Sequence, residues 1–262
     1  MKIGLVQFKP ELFQVKDNIE RAIKLIENKE ADLFVFPELT FTGYTFNTHT
    51  EVEWVAEDKN GYSITTFKKI AKEKNTNIVF GFVEKDEGKL YNSSVLIKST
   101  GETRIYRKTH LFYEEKVFFE KGDTGFWVEE VNGVKVGLAI CFDWFYPESF
   151  RTLALKGAQV IAHSANLVMP YCQEANKFRS LENHVFIVTS NRWGEEINAL
   201  NTNNFTGMSQ ITNPKGEVII RFPEKGDMVK TIEINPEEAN NKQLNKLNNI
   251  FEDRRPEFYF NG

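Results

Sequence analysis

The sequence has few cysteines and no long apolar run, and these two shortages exclude several kinds of protein. Only Cys141 and Cys172 occur in 262 residues, and they do not form a C-x-x-C pair. A disulfide framework and a cysteine-rich zinc site are therefore not expected. No stretch approaches the roughly 18 apolar residues of a membrane span, and the interrupted apolar N-terminus is not typical of a signal peptide. We expect a cytoplasmic protein with reduced thiols.

An excess of one charge is also lacking. Lysine and arginine total 33, and aspartate and glutamate total 37, so the formal net charge is −4 and no long run has one sign. This balance indicates neither a nucleic-acid partner nor an anionic membrane surface. The apolar and aromatic contents, 41% and 13%, are sufficient for one large core. We therefore predict a single domain over residues 1–262.

Two parts of the chain repeat one pattern of segments. MKIGLVQF at 1–8 is similar to VKVGLAICF at 134–142. The first is followed by a predicted helix at 18–28, with Asp17 as its N-cap, and then by the strand ADLFVF. The second is followed by the helical PESFRTLALKGA and then by AQVIAHSAN. Each half is predicted to be β–α–β with parallel strands. Two related halves with face-to-face sheets are expected, although two unrelated βαβ units remain an alternative.

The C-terminal segment combines charged and aromatic side chains, as NNIFEDRRPEFYF at residues 248–260 shows. So many rings seldom remain in contact with water. We predict that residues from about 248 to 262 pack on the body of the protein or on a second subunit.

Polar residues follow three predicted strands, at the sheet edge where parallel α/β proteins bind ligands. LFVF leads to Glu38, VGLAI leads to Cys141, and VIAHSA leads to Asn166. A carboxylate placed directly after an apolar strand can act as a general base, although a helix-capping or salt-bridged role fits Glu38 equally well. A base beside a thiol generates a thiolate, which attacks carbonyls and nitriles. Lys108, after the strand-like TRIYR, can stabilise the resulting anion, although such basic clusters are often simply solvated.

Three segments taken together resemble the nitrilase superfamily of carbon–nitrogen hydrolases. They are FPEL at 36–39, YRKTHLFYEE at 106–115 and ICFDWFYPES at 140–149, and HSANLV, RSLENHVFIVTSNR and DRRPEFY are similar to the family as well. The resemblance implies an α/β fold, a four-layer αββα sandwich with internal pseudo-two-fold symmetry. It also implies a Glu–Lys–Cys catalytic set, whose positions in this sequence are Glu38, Lys108 and Cys141.

The same resemblance implies further site residues. Glu115, seven residues after Lys108, is expected to orient the lysine and assist proton transfer, whereas the neighbouring Glu114 is interpreted as a solvated charge. The backbone N–H of Phe142 is expected to be a second donor to the oxyanion. The expected substrate-binding residues are Asn166, Tyr44, Tyr113 and Glu182. A structural hydrogen-bonding role remains an alternative for Glu182.

The activity implied by the resemblance is hydrolysis of non-peptide carbon–nitrogen bonds. We expect an amidase that converts a small linear amide to a carboxylic acid and ammonia through a thioester on Cys141. The alternatives are a nitrilase, then an N-carbamoyl compound amidohydrolase, and, outside enzymes, an inactive binding module. No metal or organic cofactor is expected. The family commonly forms dimers, so a homodimer or higher homo-oligomer is expected beside the amide or nitrile substrate.

A competing chemistry would pair Cys141 with a histidine, as papain-like enzymes do. His163 is the best candidate because it lies near the end of a neighbouring strand. No local signature of those proteases is present. His163 is therefore expected to be a polar residue near the pocket wall, and Cys172 an incidental thiol.

Overall fold

The computed structural model describes residues 1–199 and 201–259, which contain fourteen strands and six α-helices. The strands are β1 (Lys2–Gln7), β2 (Leu33–Val35), β3 (Asn77–Asp86), β4 (Lys89–Ile97), β5 (Thr103–Arg107), β6 (Val128–Val131), β7 (Val134–Ile140), β8 (Val160–Ala165), β9 (Phe186–Asn191), β10 (Trp193–Asn198), β11 (Asn201–Thr206), β12 (Gln210–Thr212), β13 (Val218–Arg221) and β14 (Met228–Glu233). The helices are α1 (Val15–Ile26), α2 (His49–Val55), α3 (Tyr62–Glu73), α4 (Glu115–Phe118), α5 (Pro147–Leu155) and α6 (Cys172–Asn183). Short 3-10 helices span Cys141–Phe145, Pro236–Ala239 and Pro256–Phe258.

Two six-stranded sheets have the same internal order. Sheet 1 runs β14-β1-β2-β3-β4-β5, and sheet 2, read from the corresponding edge, runs β6-β7-β8-β9-β12-β13. In sheet 1, β1, β2 and β3 pair in parallel, and the other neighbours are antiparallel. In sheet 2, β7, β8 and β9 are the parallel strands. The matching orders confirm two related halves with pseudo-two-fold symmetry, while β10 and β11 form a separate hairpin.

The two sheets pack face to face, and this contact contains the largest apolar cluster. Strand side chains alternate between faces, so alternate residues of β1 and β2, with single residues of β3 and β4, join the cluster with sheet 2. Those residues are Ile3, Leu5, Leu33, Val35, Val79 and Leu96, together with Leu138, Ile140 and Ile161 of sheet 2. The intervening residues, such as Phe34 and Phe36, pack instead against Ile19 of α1 and Phe67 of α3. Each fully buried side chain of this kind contributes about 1.5–3 kcal/mol. The predicted αββα layering is thus observed.

Most predicted elements are present, and the start of α1 differs from its predicted position. The helix begins at Val15 rather than after Asp17, which lies in its first turn, and Gln14 is the N-cap residue. Val15 packs against the apolar cluster between sheet 1 and its helices. Because this contact stabilises nearly one additional turn, the polar residue Asp17 does not mark the helix start. The helix α2 and the β10–β11 hairpin were not predicted.

The C-terminal segment packs in part on the body. The Phe251 ring contacts the main apolar cluster. The Arg151 guanidinium and the Lys242 ammonium lie over this ring, 5.3 and 4.9 Å from its centroid. The rings of Phe258 and Tyr259 are exposed, and residues 260–262 lie outside the described part. Packing of the segment on a second subunit therefore remains a prediction. No helix in the described ranges has the length and apolar character that a bilayer crossing requires.

Candidate active site

The ends of β2, β5, β7 and β8 bring the predicted residues to one edge of the sandwich. The turn that carries Glu38 is fastened to β3, because Gly81 donates to the Pro37 carbonyl at 3.0 Å and accepts from the Thr40 N–H at 2.8 Å. A Cβ on Gly81 would lie 2.4 Å from the Leu39 nitrogen and 2.6 Å from the Glu38 Cα. Glycine is therefore required here for the close approach that places Glu38.

Three charged side chains form a buried cluster at this edge. The Lys108 ammonium donates to Oε1 of Glu38 and to Oε1 of Glu115, each at 2.7 Å. All three side chains are almost completely inaccessible to water. The backbone of Lys108 is held on both sides, since its N–H donates to the Asn92 carbonyl at 2.8 Å and its carbonyl accepts from Gly122 at 3.0 Å. The lysine therefore points inward between the two carboxylates.

The two oxygens of Glu38 have different surroundings. Oε1 accepts from Lys108 and from the Asn92 side chain, both at 2.7 Å. Oε2 is buried and has no hydrogen-bond partner among the described residues. Buried polar atoms are nearly always paired, so an unpaired carboxylate oxygen indicates a position for an incoming proton. Asn92 was not predicted, and the signal for it is the polar run Asn-Ser-Ser within the buried strand β4.

The charge of Lys108 is stabilised by its neighbours. Burial by itself lowers the pKa of Lys108, but the negative charges of Glu115 and Glu38 outweigh it, so the pKa is raised and the ammonium is retained. Burial raises the pKa of Glu115, and Lys108 offsets part of that effect. The site therefore contains a permanent cation beside the position where an anion would form.

Cys141 begins the 3-10 helix after β7 in a strained conformation. Its φ of +37° lies in the left-handed region, which a residue with a Cβ seldom occupies. The residue is 7% exposed, and burial, followed by the negative charge of Glu38, raises the pKa of its thiol. The positive charge of Lys108 and the backbone of Asn166 lower the pKa of the thiol without offsetting this rise. A thiol of this kind is protonated at neutral pH, so it needs a base to become a nucleophile.

His163 does not act on the sulfur. Its Nε2 lies 2.9 Å from the Cys141 carbonyl oxygen, and its Nδ1 lies 3.3 Å from the side-chain nitrogen of Asn176. A consistent assignment has Nε2–H donating to the carbonyl and Nδ1 accepting from Asn176. His163 thus holds the strained turn in place, in agreement with the expectation of a polar residue near the pocket wall.

The burial of His163 predicts a pH-dependent stability. Burial lowers the pKa of His163 to about 4, whereas the unfolded chain binds this proton near pH 6.5. The stabilisation is complete above about pH 6.5 and decreases by about 3 kcal/mol as the pH falls toward 4, because only the unfolded state takes up the proton in that range. Urea unfolding of the wild type at pH 7 and pH 5 should show about 2 kcal/mol of this loss.

The matched variants isolate that contribution. His163→Gln retains an N–H donor for the carbonyl but does not titrate, so its free energy of unfolding should fall less between pH 7 and pH 5. His49→Gln, at an exposed histidine, should behave like the wild type. An equal pH dependence in wild type and His163→Gln would contradict the assignment.

Phe142 follows Cys141 in the first turn of the 3-10 helix, where backbone N–H groups have no partner within the helix. Asp143 fastens this turn, since its Oδ2 accepts from the Ile140 N–H at 2.9 Å and from the Tyr106 hydroxyl at 2.7 Å. Its Oδ1 lies 2.8 Å from the His110 ring. Tyr106 and His110 flank Lys108 in sequence, so Asp143 connects the lysine segment to the cysteine turn.

The remaining predicted residues have different positions. The Tyr44 hydroxyl donates to Oε1 of Glu115 at 2.6 Å. The Asn166 side chain is buried, and neither its oxygen nor its nitrogen is hydrogen-bonded to a described residue. The Tyr113 side chain is 73% exposed, at the rim of a small cavity beside Glu115.

Glu182 lies apart from the other predicted site residues. Its carboxylate accepts from Arg179 at 3.1 Å on the outer part of α6, and it lines a groove with the C-terminal segment. None of its contacts is with Glu38, Lys108 or Cys141. Glu182 lies on a helix and does not follow a strand end, so nothing directs it toward the site. Its contacts support the alternative of a structural hydrogen-bonding role.

Within residues 1–199 and 201–259, no group of three or more His, Cys, Asp or Glu side chains has an arrangement that could hold a metal ion. The chemistry available at this edge is that of a thiol, a carboxylate with an open oxygen, and a fixed ammonium. On a four-layer α/β sandwich, this combination defines a hydrolase with a cysteine nucleophile.

Comparison with known proteins gives the family. The sequence profile described as carbon-nitrogen hydrolase matches residues 2–242, and the chain belongs to that family of enzymes. It is 47% identical to a nitrilase of Pyrococcus abyssi, with 99% of each chain covered. It is 35% identical to an (R)-stereoselective amidase of a Pseudomonas species, over 84% of this chain and 80% of the relative. The structure of a carbon-nitrogen hydrolase from Helicobacter pylori G27 has the same fold, with a TM-score of 0.90, 23% identity and coverage of 99% and 97%.

Proposed function

We propose that the protein hydrolyses a small uncharged nitrile to the carboxylic acid and ammonia, with the corresponding amide as the second candidate substrate. The observation that carries this proposal is the open Oε2 of Glu38 in a cluster with Lys108 beside a protonated, buried thiol. The sequence alone favoured the amide. The greater identity to the Pyrococcus nitrilase than to the Pseudomonas amidase supports the nitrile as the first choice.

In the first step, Glu38 accepts the thiol proton through Oε2 while the sulfur of Cys141 forms a bond to the nitrile carbon. One carbon–nitrogen π bond becomes a lone pair on nitrogen, and Glu38 returns the proton to that nitrogen. A thioimidate on Cys141 results. The raised pKa of the thiol makes this base necessary, because little thiolate forms without it.

Water completes the reaction in two additions. Glu38 takes one proton from a first water as the hydroxide adds to the thioimidate carbon, and it passes that proton to the nitrogen. Glu38 then moves the hydroxyl proton of the tetrahedral adduct to the same nitrogen, so that ammonia leaves and a thioester remains. A second water hydrolyses the thioester, releasing the acid and restoring the thiol. An amide needs only one water. Its carbonyl is attacked directly by the sulfur, and ammonia leaves as the thioester forms.

Two donors are assigned the role of stabilising the negative charge of the tetrahedral intermediates, the Lys108 ammonium and the Phe142 N–H. Lys108 retains its charge because two carboxylates face it. Glu115 keeps the ammonium in place from the side opposite Glu38. The loss of one such donor typically costs about 10²–10³ in rate.

The cavity beside Glu115 supports the choice of a substrate without a negative charge, because its charged lining residues are all acidic. It has a volume of about 60 Å³, and its walls include the rings of Tyr44, Phe46, Phe112 and Phe119. No lysine or arginine is among its lining residues, so a substrate carboxylate would be unpaired there. The side-chain amide of Asn166, which has no partner among the described residues, is available for a polar group of the substrate.

A homodimer is proposed on the basis of exposed apolar side chains on one side of the molecule. Phe178 and Leu181 are exposed on α6, Leu155 is exposed at the end of α5, and Phe145 is exposed in the 3-10 helix after Cys141. Patches of this kind usually mark an interface. Light scattering at micromolar concentration should give the mass of a dimer, and a monomer mass would contradict the proposal. The cytoplasmic location also remains a prediction.

The substrate is tested with matched series of small nitriles, amides and N-carbamoyl amines. Ammonia release is measured, and intact-mass spectrometry detects an adduct on Cys141, with Cys141→Ala as the control. In ¹⁸O-labelled water, acid made from a nitrile should carry two labelled oxygens and acid made from an amide one. Carbon dioxide release with the N-carbamoyl series would instead indicate a carbamoyl amidohydrolase. No adduct and no turnover in any series would overturn the proposal in favour of a binding module.

A further inference from the structure

A second buried ion pair lies outside the catalytic cluster. The Arg192 guanidinium donates to Oε1 of Glu196 at 2.6 Å, and both side chains are inaccessible or nearly so. The guanidinium also lies over the Phe205 ring, at 4.3 Å from its centroid. Burying two charges is costly even when they are paired. Arg192 lies between β9 and β10 and Glu196 lies in β10, so the further contacts of the pair show what it holds in place.

The free oxygen of Glu196 holds a loop from the other half of the chain. Oε2 of Glu196 accepts from the backbone N–H of Tyr44 at 2.9 Å and of Thr45 at 2.7 Å. Side chains of the same hairpin reinforce the contact, since Asn198 donates to the Thr45 carbonyl at 2.8 Å and Asn203 donates to the Thr45 hydroxyl at 3.0 Å. Glu196 therefore fixes the backbone from which the Tyr44 ring extends.

The Tyr44 ring extends from this loop to the catalytic cluster. Its hydroxyl donates to Oε1 of Glu115 at 2.6 Å, the same oxygen that receives the Lys108 ammonium. The ring packs edge-on against Phe205, with centroids 5.9 Å apart, so Phe205 contacts both the ion pair and the tyrosine. A continuous series of contacts thus leads from Arg192 through Glu196 and Tyr44 to Glu115.

We propose that the Arg192–Glu196 pair positions the catalytic cluster by fixing Tyr44, whose hydroxyl holds Glu115 in place against Lys108. Glu196 and Tyr44 are positioning residues in this assignment, since neither contacts the sulfur. Without the tyrosine hydroxyl, Glu115 keeps two donors, Lys108 and the Phe112 N–H at 3.1 Å. The Glu115 carboxylate then binds a proton more readily. Once Glu115 is neutral, the Lys108 ammonium pairs with Glu38 alone. A base held more tightly by an ammonium accepts the thiol proton less readily, so activation of Cys141 weakens.

This inference rests on the proposed function, because it assumes that Glu38 activates Cys141. Alkylation of Cys141 by iodoacetamide measures that activation without a substrate, and Cys172, fully buried on α6, is an internal reference. The rate is followed by mass spectrometry between pH 5 and pH 9. Glu38, Glu115, Lys108 and Tyr44 are the titratable groups that face the thiol or its base.

Three variants test the series of contacts. Tyr44→Phe should slow alkylation of Cys141 about tenfold at pH 7 and move the rise in rate to higher pH, since small misplacements of catalytic groups have effects of this order or larger. Glu196→Asp retains the charge beside Arg192 but withdraws the carboxylate from the loop, and should cause the same change. In the double variant, Glu196→Asp should add almost nothing to Tyr44→Phe, because both act through one hydroxyl.

Controls separate this role from a general effect on folding. Glu195→Gln, at the exposed neighbouring position of β10, and Tyr62→Phe, at an exposed tyrosine of α3, should leave the rate unchanged. Additive effects in the double variant would assign Glu196 a purely structural role and overturn the inference. An unchanged rate in folded Tyr44→Phe would overturn it whether or not the Glu196 variant folds. Slow alkylation of Cys141 in the wild type, no faster than that of Cys172, would instead contradict the proposed function.

Discussion

Cys141→Ala is expected to abolish turnover, with a loss on the order of 10⁶ in kcat, as for other enzymes that lose their nucleophile. The proposed reaction passes through two covalent intermediates on the sulfur, and no other thiol is near Glu38. The fold should persist, because the substitution removes one buried atom and leaves the His163 contact with the residue 141 carbonyl available. Ammonia release with the best compound of the nitrile or amide series measures the effect, and urea unfolding checks the fold.

Cys172→Ala is the matched control for this experiment. Cys172 is the other buried cysteine without a disulfide, and it lies at the start of α6. Its removal should leave turnover within a few-fold of the wild type and cost about 1 kcal/mol of stability. Ammonia release by Cys141→Ala at the wild-type rate would exclude the thiol as the nucleophile.

Glu38→Gln is expected to reduce kcat by about 10²–10⁴, the contribution typical of a general acid–base group. Glutamine has the same shape, and its carbonyl oxygen can keep the donors Asn92 and Lys108, so the cluster should remain assembled. Its amide nitrogen then occupies the position of Oε2, where it can neither accept the thiol proton nor return it. The measurement is kcat for ammonia release, with urea unfolding to show that the variant is folded.

Glu114→Gln controls for the lost negative charge. Glu114 is exposed beside Glu115, so its substitution changes the net charge by the same amount without touching the proton path. Its kcat should be close to that of the wild type. If Glu38→Gln and Glu114→Gln had the same kcat, Glu38 would not be the base.

The order of the elements was readable from the sequence because it depends on local patterns. Apolar alternation and helical spacing are properties of neighbouring residues, and the repeated β–α–β pattern already predicted two related halves. The resemblance of short segments to a known family led in the same way to Glu38, Lys108 and Cys141. Those segments follow strand ends, and strand ends of parallel sheets meet at one edge.

The individual contacts could not be predicted in the same way. Glu182 lies in α6. Its carboxylate accepts a hydrogen bond from Arg179 and makes no contact with the catalytic cluster. His163 ends up on the cysteine carbonyl rather than on the sulfur. Both outcomes depend on the rotation of a helix or strand about its axis, which is determined by packing against distant elements.

The sequence by itself determined the layers of the fold, the strand ends and the identity of the three residues at the centre of the proposed chemistry. The tertiary structure alone decided which oxygen of Glu38 stays open, and it alone joined Glu196 to Tyr44. The physical reason is the separation along the chain. Tyr44 and Glu196 are 152 residues apart, and Glu38 and Lys108 are 70 residues apart. Hydrogen bonds over such separations form only after the two sheets have packed.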